Sequence, residues 1–171
     1  MDRTAPDVFG DWLSTSIRPA LKERGWTKTG STFHLRSREG WGVINFQKSA
    51  FGSRHETHFT VNLGVSLDRL ASIRDVDPAR KPPFPLCNWQ ERIGFLLESP
   101  HDAWWTIDDG TDLGALTSEV LPLVLERGLP TIDERLTRAG FLRTMQLADP
   151  VGRVPFHERA LQLLTTDEGP A

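Results

Sequence analysis

Thr57-His58-Phe59-Thr60-Val61-Asn62-Leu63-Gly64-Val65 alternates more regularly than any other stretch of the chain. Successive side chains of a strand point to opposite faces. Phe59, Val61, Leu63 and Val65 therefore share one face, and His58, Thr60, Asn62 and Gly64 share the other. An apolar face backed by a polar one is the habit of an antiparallel sheet with one side on the core. The pattern predicts burial of Phe59, Val61 and Leu63 and exposure of His58 and Thr60. Upstream, residues 32–36 set Phe33 and Leu35 on one face, Arg38-Glu39-Gly40 supplies a turn, and residues 41–48 return as a hairpin. Downstream, residues 92–97 and 103–107 predict a second strand pair joined across Ser99-Pro100-His101-Asp102.

Helices flank these strands. Val8, Trp12, Leu13, Ile17 and Leu21 recur every three or four residues, so residues 7–24 predict a helix. Pro19 should kink or restart it, and Gly25 should end it in the left-handed conformation. Residues 66–74 read as a short helix capped by Ser66. Residues 75–85 carry four of the twelve prolines and predict an irregular loop. Leu113, Leu116, Val120, Leu123 and Val124 form a further stripe ending at Gly128. Thr131 and Glu134 have capping-box spacing, Thr137 is a second cap, and Pro155 suits the first turn of a final helix through Leu164. Residues 165–171 are expected to fray. The class is α+β: a single antiparallel sheet of about five strands with helices packed on one face. One domain spanning 1–171 is expected, since no repeat or change of composition divides the chain.

Composition narrows the classes of function. Six Trp and nine Phe supply enough apolar area for a folded core. A formal net charge of -3 without Lys/Arg runs makes nucleic acid an unlikely partner, because such proteins neutralise phosphates with a basic excess. No apolar run has the length of a bilayer span, so no membrane role is expected. Cys87 is the single cysteine and residues 1–10 lack a signal-peptide pattern, which predicts a reducing, cytoplasmic setting.

Chemical motifs are sparse. His55-Glu56-Thr57-His58 evokes a zinc-protease helix, but that motif needs histidines four apart on a helix. Here they are three apart at a strand start, where an odd separation turns them to opposite faces. Asp108, Asp109 and Asp112 around Gly110 lack the ligand order of a calcium loop, and a turn feeding a helix start explains them better. Cys87, beside Leu86 and Trp89, reads as a small buried side chain rather than a nucleophile. No phosphate loop, dinucleotide loop or nucleophile elbow is present. No catalytic residue, metal ligand or cofactor is predicted. What stands out is softer: Asn45, Gln47 and Asn62 are amides within strands, where Asn is disfavoured. With Arg92 and the Trp104-Trp105 pair, of which Trp105 is the candidate, they suit recognition of a polar, planar or anionic group. A solvated outer face with indoles filling the core is the competing explanation.

Several phrases occur together in a telling order. Leu21-Lys22-Glu23-Arg24-Gly25-Trp26 is followed by Gly30-Ser31-Thr32-Phe33 and Trp41-Gly42-Val43-Ile44-Asn45-Phe46-Gln47-Lys48. Then come Phe59-Thr60-Val61-Asn62-Leu63-Gly64-Val65, Arg92-Ile93-Gly94 and Ala103-Trp104-Trp105. This order resembles the bacterial family catalogued as domain of unknown function 4304 (DUF4304), over residues 8–145. The resemblance implies a compact bacterial cytoplasmic domain and transfers no activity, cofactor or catalytic residue. A helical extension over residues 150–165 lies outside it. The leading expectation is a non-enzymatic binding or interaction protein, immunity- or regulatory-like, with a protein partner or a small polar ligand. The alternative is a small enzyme or small-molecule-binding protein with a polar pocket on the sheet. A concave polar face would favour the pocket, and a flat face with exposed indoles a protein partner.

Overall fold

The computed structural model describes residues 3–148 and 150–166. Thr4 and Asp7 form a reciprocal capping box that starts α1 (Ala5–Trp12). The helix widens through a π turn (Leu13–Ile17) and continues as α2 (Arg18–Lys22), followed by Gly25 at φ 84°. Proline has no N–H to offer the carbonyl four residues back, and the widened turn just ahead of Pro19 absorbs that loss. A second π turn (Leu123–Gly128) joins α3 (Leu113–Pro122) to α4 (Leu129–Arg135), and it too ends two residues before a proline, Pro130. The helix α5 (Arg138–Met145) is capped by the Thr137 hydroxyl, which accepts from Gly140 N at 3.0 Å. The last helix, α6, spans His157–Thr165.

Between these helices lie β1 (Thr27–Thr29), β2 (Thr32–Arg36), β3 (Gly40–Lys48), β4 (Glu56–Leu67), β5 (Trp89–Arg92) and β6 (Trp105–Asp108). They form one antiparallel sheet in the order β1-β2-β3-β4-β5, with β6 also on β4. The α+β class therefore holds. Phe46 and Phe59 meet Trp12 of α1, Phe59 also meets Phe9, and Trp105 stacks on Phe59 at 5.7 Å. Ile132 of α4 reaches Gly42, and Gly128 lies against Leu63. The helices thus cover the apolar face. No helix among the described residues is long and apolar enough to cross a membrane.

Several expectations change. The predicted second strand pair does not form: β5 pairs with residues 62–65 of β4 and β6 with residues 56–59. The two lie end to end along one edge because β4, at twelve residues, is long enough to hold both. Ile93–Leu96 turns away as a 3₁₀ helix, and Gly94 O accepts from His101 N at 3.2 Å to close the connection. β1 was not expected, since Thr27-Lys28-Thr29 has no apolar alternation; the two-residue turn Gly30-Ser31, with Gly30 at φ 59°, folds it onto β2. Ser66 stays in β4, and the following 3₁₀ turn (Asp68–Ile73) has no side-chain cap. Gly128 does not end its helix but brings it close to the sheet. Thr131 accordingly sits inside α4, its hydroxyl donating to Arg127 O at 2.8 Å rather than capping. Of the expected frayed tail, Thr165 closes α6, and residues 167–171 lie outside the described residues.

The second face of the sheet is not bare. Residues 75–88 cross one end of it, pinned where the Trp41 indole donates to Pro78 O and His34 Nε2 meets Pro82 O, both at 2.9 Å. Gly64 makes this crossing possible, since a side chain there would collide with Cys87 Sγ and press on Phe84. At the other end Ala103 covers Thr60, which is fully buried with its hydroxyl donating to Ala103 O at 2.8 Å. The expected exposure of Thr60 is thereby corrected; His58 is half-buried, its ring bonded to Thr106.

Leu63→Ala should cost about 2–5 kcal/mol in chemical denaturation, the range for emptying a packed leucine site. Thr60→Val keeps the volume but strands the Ala103 carbonyl, so roughly 1–3 kcal/mol is expected; a neutral result would place the residue in water. Burial pushes the Cys87 thiol far above its ordinary range. Native protein should therefore resist iodoacetamide and react once denatured, and labelling at the rate of a free thiol would contradict the packing of Cys87 on Gly64.

Candidate functional site

The β3–β4 register sets Asn45 opposite Asn62 and Gln47 opposite Thr60, and the β4–β5 register sets Arg92 opposite Asn62. Four of the predicted site residues thus share the polar face. Thr32 joins them, opposite Asn45 on β2. The amides form a row. Asn62 Nδ2 donates to Gln47 Oε1 at 2.8 Å and to Asn45 Oδ1 at 3.2 Å, and Asn45 Nδ2 donates to Thr32 Oγ1 at 2.8 Å. Asn62 is 1% exposed. With both of its amide protons taken by the row, its Oδ1 accepts from no donor among the described residues. Gln47 is exposed, and its Nε2 is likewise not engaged by the row.

Arg92 flanks the row. Its guanidinium donates to Asp102 and lies 5.2 Å from the centre of the Trp104 ring. Partial desolvation raises the Asp102 pKa, but hydrogen bonds from Trp104 and Arg92 outweigh it and hold the carboxyl below its ordinary value. Glu91, on the neighbouring rung, shows the opposite balance: burial pushes its carboxyl up, while the backbone N–H groups of Arg92 and Gly152 and the charge of Arg135 pull it down.

Two cavities open along this face. One of about 410 Å³ lies over Asn62 between Phe84 and Phe95, with Arg92, Asp102 and Arg153 around it. The other, of about 560 Å³, lies over Asn45 and Thr32 beneath Lys81 and prolines 82, 83 and 85. His34 borders the second. Burial pushes its ring pKa down, which favours the neutral form whose Nε2–H donates to Pro82 O, leaving the buried Nδ1 without a partner.

Trp105 does not join the site. Its pairing with Phe59 turns the indole toward the helices, where Nε1 donates to Glu119 at 2.7 Å. Trp104 takes the place expected of it. Strand parity carried that signal, since Trp105 must share a face with Ile107, an obvious core residue. Thr32, Phe84, Asp102 and Arg153 were also missed, and only the long-range pairing reveals them.

The remaining motifs resolve into ordinary contacts. His55 is exposed beside Asp109 at 3.6 Å, whereas His58 faces Thr106 and Glu56. No group of three or more His, Cys, Asp or Glu among the described residues is arranged to hold a metal ion. Asp108 closes its own turn, accepting from Gly110 N and the Thr111 hydroxyl, and Asp112 caps α3. The Asp108 carboxyl is held below its ordinary value by those bonds, the Thr111 hydroxyl first.

Neither the curated proteins nor the solved structures contain a match to the chain. Residues 17–134 match the family described as Domain of unknown function (DUF4304). The matched stretch contains the amide row, Arg92, Asp102 and Trp104, while Arg153 falls outside it. It covers well over half of the sequence, and the chain belongs to the DUF4304 family.

Proposed function

We propose that this chain is a binding domain that holds a polar ligand or partner segment against the amide row on the open part of its sheet. The observation that carries the reading is Asn62: its amide protons are held by the row, and its Oδ1, which accepts no hydrogen bond among the described residues, opens to a cavity. An acceptor already held in place by the bonds of its own amide group loses little freedom when it takes an incoming N–H group. Gln47 Nε2 beside it offers a donor, and the Arg92 guanidinium, braced by Asp102 and Trp104, holds further N–H donors in a fixed orientation. Recognition is favoured over chemistry because Cys87 is buried and the ring of His34 is committed to a carbonyl. A free, buried thiol also suits a reducing, cytoplasmic setting.

The test uses a set of small amides, ureas and carboxylates, read through the side-chain NH₂ resonances of Asn45, Gln47 and Asn62. Gln47→Ala strips one amide proton of the buried Asn62 of its acceptor, so about 1 kcal/mol of stability should be lost, and binding to the folded variant should weaken about tenfold, the loss of one good hydrogen bond. Asn62→Val should cost roughly 1–3 kcal/mol in a thermal melt, since two amide oxygens lose their donor. Compounds that bind without moving these resonances, or that ignore Gln47→Ala, would remove the site.

A further inference from the structure

Gln47 and Phe84 line both cavities, so the two meet at the amide row and form one trough across β2, β3, β4 and β5. Four strands spaced about 4.8 Å apart make a path of roughly 15–20 Å, the reach of about five or six extended residues. At its middle an acceptor, Asn62 Oδ1, lies next to a donor, Gln47 Nε2, which is the complement of a peptide group. Phe84, Phe95 and the prolines give apolar walls for side chains on either side.

Charge selects among peptides. The whole chain carries -3, but the trough does not share that sign. Asp102 is neutralised by Arg92, and Glu91 receives the N–H groups of Arg92 and Gly152. Lys81 stands exposed at one end, and Arg153 at the other touches Gln90 Oε1 at 3.4 Å. We infer that the groove binds an extended, acidic segment of a partner protein, with a peptide group on Asn62 and Gln47 and carboxylates at Lys81 and Arg153. This inference rests on the groove being the binding site.

The probe is three pools of end-capped, fluorescent peptides of about six residues, with Asp or Glu, Ser or Gln, or Lys or Arg fixed at both ends. Polarisation titrations on the full chain should favour the acidic pool over the neutral one by about fivefold or more at low salt, falling as salt rises. The double variant Lys81→Glu, Arg153→Glu changes exposed residues only and should transfer the preference to the basic pool. Equal affinity for acidic and neutral pools, or a preference indifferent to charge reversal, overturns the acidic segment. Small amides that shift Gln47 and Asn62 while no pool binds would overturn the peptide and leave the groove standing. Silence from both would overturn the groove as well.

Discussion

Nine consecutive antiparallel pairs between β3 and β4 hold the two faces of this protein apart. Because side chains alternate along a strand, this one register puts Ile44 and Leu63 under the helices and Asn45 and Asn62 on the opposite side. A slip of one residue would bury the amides in the apolar core and expose the leucine. Neighbouring rungs of the same ladder carry Gly42 and Gly64, and each admits a neighbour on its own face. Ile132 and Trp26 close on Gly42 from the helical side, while Cys87 and Phe84 close on Gly64 from the other. The sheet is therefore thinnest where helix and proline-rich loop press on it, and the trough begins where that loop stops.

The central ladder was legible because alternation is a local signal and both faces of β4 declare themselves in the sequence. Partnerships were not. Nothing in residues 89–108 says that two short strands lie end to end on a longer one, because that depends on the length of β4 rather than on their own pattern. Gly128 carried the composition of a stop and served as a contact, a tertiary use that local rules cannot separate from a cap. The amides were visible as strand residues that β-propensity does not favour. Their connection to Thr32 waited on register, whereas the shared parity of Trp105 and Ile107 was already present in the sequence. The loop that walls the trough was recognisable as irregular, but its path over Gly64 was not.

Asn62 shows why a polar residue in a strand can have more than one role. Its amide protons tie β3 to β4 through side chains, reinforcing the backbone ladder, while its oxygen faces the cavity. The same residue stabilises the sheet and leaves one acceptor open to the cavity. A valine there would serve β-propensity and forfeit both.

Residues 150–156 carry a separate consequence. Gln90 and Arg153 exchange backbone hydrogen bonds at 2.9 and 2.8 Å, the Trp89 indole donates to Val151 O, and Gly152, at φ 90°, lies where any side chain would strike that indole. The segment lies beyond the family-matching stretch and occupies the outer rim of β5. Unpaired strand rims are templates on which chains add to one another. A chain in which this segment is displaced from β5 would keep its central ladder but bare the N–H and C=O of Gln90 and the flank of Trp89. Its failing would be colloidal: self-association through a strand that the native tail keeps occupied.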